Sequence, residues 1–399
     1  MTDTMTSEEA HRLVDAAVHG SAERVWGVAC ALHADPELAF AEHRAAERLG
    51  SALADGGFEV ERGVAGLPTA FVGRAGSAGP AVALLLEYDA LPGLGHACGH
   101  NLIAAAGLGA ALAVRPLLGG IPGQVLAVGS PAEEGGGGKV TEVAAGVFAG
   151  VDAALMVHPG VHDWTWAPLT AQVEVEVTIR GRAAHPTGNP TEGRDALAAL
   201  VQLYTTLAAL RPRLAPGSDI QGIITEGGTA TNIVPERATA RFGLRALTTT
   251  ALDALVHRVT DAAHALAAAT ETTAEVSTPR EPYAHFRPNN TLAETFAAHF
   301  PTPLSPPTPG VYLGSSDIGN VSVECPAIHP FLAITTADQS DHTPHFAAAA
   351  ASPRAEEVLR AATAALAHTA VDVLTDPALR DRAWQEFHRR RAGETATAS

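Results

Sequence analysis

The sequence predicts an α/β protein in which a mixed-sheet domain is interrupted by a smaller ferredoxin-like α+β domain. Three continuous apolar runs, Val82–Leu86, Gln124–Gly129 and Ala153–Val157, are typical of strands buried on both faces of a sheet. Ala171–Ile179 instead alternates apolar and polar residues, which favours a half-exposed strand of an antiparallel sheet. We therefore divide the chain into a first part of the main domain, an insertion and a second part, at residues 1–166, 167–281 and 282–399.

The first part begins with helices, because apolar residues recur at helical spacing and Pro36 disfavours helical backbone just before it. Short strands follow, and an Ala- and Leu-rich run after the strand Val82–Leu86 predicts a buried helix. The predicted helices are Ser7–Ala34, Glu42–Leu53 and Leu102–Val114, and the additional strands are Phe58–Val60 and Thr69–Val72.

The insertion continues after Ala171–Ile179 in the order β-α-β-β-α-β, which is the split-βαβ arrangement. Its helices are Asp195–Leu210 and Ala251–Thr270, and its other strands are Asp219–Thr225, Thr239–Ala246 and Thr273–Ser277. The chain then returns to the main domain with helix Thr291–Phe300, strand Val323–Phe331, the Ala-rich helix Ala349–Leu374, and a charged tail, residues 380–399, that forms a last helix and a frayed end.

Composition excludes several classes of partner. The net charge of −17 repels nucleic-acid phosphates and anionic lipid surfaces. The chain has only three cysteines, a small and odd number that does not suit a disulfide framework. This number favours a reducing compartment. The first ten residues lack the pattern of a signal peptide, and Leu102–Val114 is shorter than the roughly 20 residues that span a bilayer. We expect a soluble cytoplasmic protein without membrane or nucleic-acid partners.

Metal-capable side chains follow each of the three buried strands. Taken separately they are weak signals, because a cysteine near a histidine is usually packing and paired glutamates are usually solvated. Their shared placement is informative, since the carboxyl ends of parallel strands meet at one edge of a sheet. The residues are Glu87, Asp89, Cys98 and His100 after the first run, Glu133 and Glu134 after the second, and His158 after the third.

This mixture of thiolate, imidazole and carboxylate predicts a dinuclear site for two divalent metal ions. Of the adjacent residues Glu133 and Glu134, one can bind a metal while the other serves as a general base. A metal-bound hydroxide is a nucleophile at neutral pH, and the base then carries its proton to a leaving amine.

The sequence alone does not decide the role of several other polar residues. His185 and Asn232 lie in loops of the insertion, where ordinary turn chemistry is the simpler interpretation. Arg245 lies in a strand, where the simpler interpretation is a side chain on a solvated sheet face. We expect four further histidines to be structural and two cysteines to be small core residues: His96, His162, His329, His345, Cys30 and Cys325.

Several motifs together resemble the co-catalytic dinuclear zinc peptidases and amidohydrolases that include aminoacylase, carboxypeptidase G and indole-acetyl-amino-acid hydrolase. In order, they are residues 87–92 (EYDALP), 96–100 (HACGH), 133–135 (EEG), 158–159 (HP), 181–185 (GRAAH), 231–235 (TNIVP) and 342–344 (HTP). Residues 95–101 and 314–322 are most similar to the branch that holds the aminobenzoyl-glutamate hydrolases and the β-alanyl-lysine type dipeptidases.

The resemblance implies a role for each residue of the metal site. Cys98 would bridge the two metals, Glu133 would be the general base and acid, and Asp89 would orient a metal-binding imidazole. The remaining ligands would be His100 and His158 for one metal and Glu134 and His342 for the other. Two residues depart from neighbouring branches: Asn101 stands where an aspartate is common, and Glu87 where a histidine ligand is found.

The resemblance also gives functions to the insertion. His185 and Asn232 would stabilise the tetrahedral oxyanion in the active site of the partner subunit, and Arg245 would bind the carboxylate of the substrate. The insertion would then act as a lid and dimerisation domain, and the protein would be a homodimer.

The function implied is a metal-dependent amidohydrolase or peptidase that cleaves an N-acyl amino acid or a dipeptide, with a metal-bridging hydroxide as nucleophile and Glu133 as base. Zn²⁺ is the first expectation for the two metals, with Mn²⁺ or Co²⁺ as alternatives. Two other functions use the same residues: amide-bond formation in a biosynthetic pathway, and a non-hydrolytic protein that holds metals and binds a ligand.

Overall fold

The computed structural model describes residues 5–396, which form two compact units. Unit 1 contains the chain up to Pro168 together with Phe286–Val311 and Ser316–Gly393. Unit 2 contains Leu169–His285 and the short segment Tyr312–Ser315. The insertion thus begins two residues and ends four residues after the sequence-based limits of 167 and 281. The predicted frayed end lies partly outside the described residues, at 397–399.

The secondary-structure elements are numbered in chain order. The strands are β1 Glu59–Arg62, β2 Phe71–Gly76, β3 Ala81–Glu87, β4 Gln124–Ser130, β5 Ala153–Leu155, β6 His158–Gly160, β7 Ala171–Arg180, β8 Asp219–Glu226, β9 Arg237–Ala246, β10 Thr273–Ser277, β11 Ala327–Ile328 and β12 Phe331–Ala333. The helices are α1 Ser7–Ala34, α2 His43–Asp55, α3 His100–Val114, α4 Gly138–Ala144, α5 Ala196–Leu210, α6 Thr249–Ala269, α7 Asn290–His299, α8 Ile318–Ser322, α9 Pro344–Ala349, α10 Pro353–Thr375 and α11 Pro377–Ala396.

Unit 1 is built on a mixed six-stranded sheet in the order β1-β2-β4-β3-β5-β11. β3 pairs in parallel with β4 and β5, whereas β2 pairs antiparallel with both β1 and β4. Every residue of β3 is buried, as the continuous apolar run predicts. A separate parallel pair of short strands, β6 and β12, continues the chain beyond β5 and β11.

Helix α3 packs directly against β3, and two glycines permit close contacts on its sides. A Cβ atom on Gly107 would lie 2.6 Å from the backbone oxygen of Leu85, and one on Gly109 would lie 2.8 Å from Thr363 of α10 and 3.2 Å from Val25 of α1. α3 is therefore enclosed by the sheet, α1 and α10, and all but one of its residues are buried. This packing fixes the start of α3 at the carboxyl end of β3.

Unit 2 is a four-stranded antiparallel sheet in the order β10-β7-β9-β8. Its elements follow one another as β7-α5-β8-β9-α6-β10, which is the predicted ferredoxin-like order. The apolar positions of β7, at Val173, Val175 and Val177, join the buried faces of α5 and α6 in one core. The predicted fold class, a mixed-sheet α/β domain with a ferredoxin-like insertion, is confirmed.

Two elements of the second part of unit 1 differ from the prediction. Val323–Phe331 is not one strand: α8 ends at Ser322, and only Ala327–Ile328 and Phe331–Ala333 pair with other strands. Pro326 and Pro330 interrupt the segment because proline cannot donate a hydrogen bond to a neighbouring strand. The predicted helix Ala349–Leu374 begins later, as α10 at Pro353, because Ser352 caps its start, and Ala349 is instead the last residue of the short helix α9.

One helical run in the described residues is long and apolar enough to cross a membrane by length and composition alone. It is α3 with the 3-10 turn that follows it, His100–Gly119, which is longer than the predicted Leu102–Val114. Most of this run is buried inside unit 1, so its apolar surface is already in contact with protein.

The glycine at the contact of α3 with β3 gives a first prediction. Gly107→Ala should destabilise unit 1 by about 1–3 kcal/mol, because the added methyl group meets a backbone oxygen that cannot move aside. Gly27→Ala in α1 is the matched control, since nothing lies within 4 Å of the added Cβ atom and alanine favours a helix by about 1 kcal/mol. Denaturant unfolding of both variants should give shifts of opposite sign, and equal shifts would contradict the packing described.

Candidate metal centre

The predicted ligands meet at the carboxyl ends of β3, β4 and β5. Cys98 and His100 flank Gly99, which has a positive φ of 80° and precedes the first residue of α3. A Cβ atom on Gly99 would lie 2.4 Å from Pro159, so only glycine allows this loop to approach β6 closely. This close approach places Cys98 beside His158, with 3.5 Å between Sγ and Nε2.

Two groups of potential ligands share the sulfur of Cys98. Cys98, His100 and His158 form one group, and Cys98, Glu134 and His342 form the other, with the ligand atoms of each group within 4.8 Å of one another. The Nε2 atom of His342 is 3.4 Å from Oε1 of Glu134. The structure thus brings the five predicted ligands together, with Cys98 at the position that the bridging role requires.

Two of the imidazoles are oriented through their second nitrogen. Nδ1 of His100 is 3.0 Å from Oδ1 of Asp89, and Nδ1 of His158 is 2.6 Å from the backbone oxygen of Pro159. These contacts keep the proton on Nδ1 and leave the lone pair of Nε2 for a ligand. The second carboxylate oxygen of Asp89 accepts a hydrogen bond from the backbone N–H of Glu134 at 2.9 Å, so this residue connects both ligand groups.

The donor set fits a pair of divalent ions. Among the described residues, Nε2 of His100 is buried without a hydrogen-bond partner, which is costly unless a cation satisfies it. Burial raises the pKa of the Cys98 thiol and lowers that of His158. A nearby dication would offset the effect on the thiol, since metal coordination deprotonates thiols, and a neutral imidazole is already the form that binds metal.

The loop that carries the two glutamates is held in an unusual backbone conformation. Ala132, just before Glu133, has a positive φ of 61°, and its N–H donates to Oε1 of Glu42 at 2.9 Å. Glu42 also accepts from the backbone of Phe40 and, at 2.9 Å, from the hydroxyl of Thr69. Sequence reasoning missed Glu42, because it lies 90 residues from Ala132 in a helix-starting segment with no motif of its own.

Glu133 and Glu134 differ electrostatically although they are adjacent. Burial and the charge of Glu87 raise the pKa of Glu133 well above its usual range. Burial would also raise the pKa of Glu134, but the hydrogen bond with His342 and the charge of His100 lower it to about 2. The two adjacent carboxyl groups thus have very different proton affinities, which is typical of neighbouring residues with different roles.

Glu87 is part of a buried ion-pair network. The Nζ atom of Lys139 lies 2.5 Å from Oε1 of Glu87 and 2.8 Å from Oδ1 of Asp317. Lys139 and Asp317 are fully buried, and burial would lower the pKa of the lysine, but the charges of Asp317 and Glu87 raise it. Lys139 belongs to none of the sequence motifs and Asp317 is only one member of a longer one, so their pairing across 178 residues has no local signal.

The other sequence candidates around the site lie outside the two ligand groups that share Cys98. Asn101 donates through Nδ2 to the backbone oxygens of Ala29 and Ala350, which an aspartate could not do. His329 is buried against the ring of His158. The remaining histidines contact other side chains: His96 stacks on His33, His162 stacks on Trp164, and His345 contacts Thr335. Of the two cysteines, Cys325 is buried and Cys30 is half-buried.

In unit 2, the structure places His185, Asn232 and Arg245 on exposed positions. Nδ1 of His185 accepts backbone hydrogen bonds from Thr187 at 3.2 Å and Gly188 at 2.9 Å. In the neutral ring the proton is therefore on Nε2, which is a donor. Arg245 donates to Oγ of Ser315 at 2.8 Å.

Comparisons with known proteins agree with this architecture. Residues 171–271 match the family model M20_dimer, described as a peptidase dimerisation domain. The chain is 37% identical to a Xaa-Arg dipeptidase of Mus musculus over 92% of this chain and 89% of that protein. It is 35% identical to one of the subunits of the p-aminobenzoyl-glutamate hydrolase of Escherichia coli over 74% of this chain and 66% of that protein. In fold, it is similar to a Bacillus subtilis structure described as a dinuclear metal-binding peptidase of the M20 family, with a TM-score of 0.68, 22% identity, and coverage of 89% of this chain and 99% of that one.

The shared sulfur gives a second prediction. Cys98→Ala should remove both divalent ions, because both ligand groups use its sulfur, whereas His158→Ala should leave the group of Glu134 and His342 and retain about one ion. Cys325→Ala is the control, since this buried thiol is free and belongs to neither group. Metal content per chain after gel filtration measures the difference. Equal loss in the Cys98 and His158 variants would contradict a bridging thiolate.

Proposed function

The chain belongs to the M20 family of metal-dependent peptidases and amidohydrolases, and on that premise we propose that it hydrolyses dipeptides whose C-terminal residue has a cationic side chain. The observation that carries the hydrolytic part is the pair of ligand groups around Cys98, with Glu133 beside them. Nε2 of His100 is 3.8 Å from Oε2 of Glu133. Glu133 therefore lies beside the two ligand groups that contain the sulfur of Cys98 but is a member of neither.

Zn²⁺ is the metal we propose for both positions, because a set of thiolate, imidazoles and carboxylate suits it, with Mn²⁺ or Co²⁺ as alternatives. When bound, such a pair polarises a carbonyl group and lowers the pKa of water. Glu133 takes the proton of the attacking water and transfers it to the leaving amine. Asp89 holds the ring of His100 in place throughout.

Three residues of unit 2 complete the proposed mechanism. His185 donates from Nε2 to the oxyanion of the tetrahedral intermediate in the partner subunit, which its backbone contacts at Nδ1 support. Asn232 provides a second donor to the same oxyanion. Arg245 binds the carboxylate of the substrate through its guanidinium group, whose orientation Ser315 fixes in this structure.

The cationic side chain is inferred from charge. The chain carries a net charge of −17, and the loop before α9 exposes Asp338 and Asp341, the second of which directly precedes the ligand His342. Such a surface attracts cationic substrates and repels dianionic ones. The similarity to a dipeptidase named for arginine points to the same substrate class.

Amine release from a panel of substrates tests this proposal. Dipeptides ending in arginine, lysine or ornithine should have a kcat/KM about tenfold or more above dipeptides ending in neutral residues, which corresponds to about 1.4 kcal/mol. Aminobenzoyl-glutamate and other anionic N-acyl amino acids should be poorer still. Preference for the anionic substrates would overturn the substrate class and leave the hydrolytic reaction intact.

Glu133→Gln separates the reaction from the binding of metal. The variant should retain its metal ions and lose about 10²–10⁴ in kcat, because only the transfer of a proton is removed. Wild-type protein with two metal ions bound and no activity on any member of the panel would contradict a hydrolytic function, and so would full activity of the variant.

We propose a homodimer formed through unit 2. β8 lies at the end of its sheet, so its outer edge has no strand partner in the described part of the chain. Apolar side chains are exposed along β8 and the neighbouring α5, with Ile223 63% and Ile224 41% exposed and Val201 43%. Pairing of two such edges would bury these side chains and extend the sheet.

Replacing Ile223 by glutamate tests the dimer. Ile223→Glu should produce a monomer, because two like charges would meet at the apolar edge. Leu13→Glu in α1, where the leucine is 45% exposed, is the control and should remain dimeric. Light scattering after gel filtration measures the mass. The monomer should also be inactive if His185 acts in the partner's site, and a dimeric Ile223→Glu variant would contradict this interface.

We also propose that the protein is cytoplasmic. Its three cysteines, Cys30, Cys98 and Cys325, are all free thiols, and free thiols persist in a reducing compartment. This location also supplies dipeptides from protein turnover as substrates.

A further inference from the structure

Three histidines from three helices of unit 1 converge outside the site described above. His11 lies in the first half of α1, His299 is the last residue of α7, and His368 lies in α10. One ring nitrogen of each lies within 4.8 Å of those of the other two. Their ring centroids are 4.7–5.0 Å apart. We call this group the three-histidine cluster. None of its members has a role in the proposed hydrolysis.

Each imidazole of the cluster is bound to a carboxylate through Nε2. Oδ1 and Oδ2 of Asp372 lie 2.8 Å from His11 and 2.6 Å from His299, and Oδ1 of Asp15 lies 2.8 Å from His368. Burial would raise the pKa of Asp372, but the hydrogen bond from His299 and the charge of His11 lower it. Asp372 is thus ionised at neutral pH and holds a proton on Nε2 of each ring that it contacts.

This arrangement leaves Nδ1 as the nitrogen with a free lone pair in the neutral rings. Metal-binding histidines commonly donate their other ring N–H to a carboxylate, which fixes the tautomer and makes the ligand more basic. All three members of the cluster have such a carboxylate. Hydrogen bonding alone does not require three carboxylate-bound imidazoles to lie in mutual contact.

His368 supplies an independent indication of a ligand. The residue is 7% exposed, and its Nδ1 atom is buried without a hydrogen-bond partner among the described residues. Burial lowers the pKa of His368, so the ring stays neutral and keeps its lone pair. A buried lone pair without a donor is unfavourable, and a cation coordinated by His368 would satisfy it.

The cluster is accessible to an ion. His299 and His368 line a cavity of about 410 Å³ together with Asp15 and His19, and Asp372 lines a second cavity of about 650 Å³. A metal ion could therefore enter from solvent and keep water in an open coordination position.

The cluster is separate from the site around Cys98. α1 has 28 residues, which corresponds to a length of about 42 Å. His11 is near its beginning, whereas the backbone of Ala29 near its end contacts Asn101, the neighbour of His100. The two sites therefore lie toward opposite ends of this helix.

We propose that the three-histidine cluster binds a divalent transition-metal ion, such as Zn²⁺, through one nitrogen each of His11, His299 and His368. Imidazole is a preferred ligand of Zn²⁺, Ni²⁺ and Cu²⁺, and three histidines with one open position form a tetrahedral site. Zn–N distances of about 2.0–2.1 Å require the nitrogens to approach to about 3.4 Å, which small side-chain rotations can provide. The ion joins α1, α7 and α10 and stabilises their packing.

The number of metal ions per chain tests the proposal. Full-length protein is loaded with Zn²⁺ or Co²⁺, freed of excess metal by gel filtration and compared with His299→Gln. The variant should contain one ion fewer per chain and hydrolyse substrate at the wild-type rate. His19→Gln is the matched control, because His19 lines the same cavity but is outside the cluster, and its metal content should not change.

Two further measurements exclude a merely structural role for the histidines. Asp372→Asn should weaken binding of the additional ion by about 10- to 100-fold in competition with a chelator, because the carboxylate orients two of the ligands. When the absorption spectrum of Co²⁺-loaded His299→Gln is subtracted from that of the Co²⁺-loaded wild type, the difference should show the visible absorption of a tetrahedral Co²⁺ site. Identical metal content in wild type and His299→Gln, with both chains folded, would overturn the proposal.

These outcomes do not depend on the proposed hydrolytic function. The comparison counts a difference of one ion whatever number the site around Cys98 holds. If no substrate of the panel is hydrolysed but His299→Gln holds one ion fewer, the additional metal site is supported and the hydrolytic function is not. If substrates are hydrolysed but the metal content is equal, the hydrolytic function is supported and the additional site is not.

Discussion

The burial of like charges at the carboxyl ends of β3 and β4 is the constraint on which the rest of unit 1 depends. Glu87, Asp89, Glu133 and Asp317 converge there with the thiol of Cys98, and isolated buried carboxylates are strongly unfavourable in a protein interior. Lys139 neutralises part of this charge, and the histidine ligands prepare positions for divalent cations. The scaffold around them, with α3 enclosed by sheet and helices, holds these groups together against their mutual repulsion.

Sequence patterns predicted the structure correctly where it depends on residues that are close together in the sequence. Continuous apolar runs predicted β3 and β4, and the polar residues that follow them predicted which side chains meet, because parallel strands place their carboxyl ends at one edge. Cys98 and His100 could be found for the same reason, since Gly99 and α3 follow β3 directly. Alternation in β7 likewise predicted an antiparallel sheet, and the order of elements predicted its ferredoxin-like topology.

What sequence could not predict depends on contacts between distant segments. Glu42 positions the backbone before Glu133 from a different helix, and Lys139 pairs with Asp317 across 178 residues. The three-histidine cluster was missed for the same reason, because its members come from α1, α7 and α10 and each appears alone as a histidine on a helix. Pro326 and Pro330 were visible, but their effect on a short apolar segment was underestimated and the predicted strand there was wrong.

Glu87 shows how one change at a strand end alters a whole group of residues. The resemblance places a histidine ligand at this position in other branches, but here the carboxylate of Glu87 binds Lys139 at 2.5 Å. A buried carboxylate requires that lysine, and Lys139 in turn binds Asp317 at 2.8 Å, so the three charges are mutually dependent. Removing one partner of a buried ion pair typically costs about 3–5 kcal/mol. With one cation for two carboxylates, the network keeps a net negative charge next to Glu133. Burial and that charge together raise the pKa of Glu133. In the proposed mechanism, Glu87 would therefore act on the reaction through the electrostatics of Glu133.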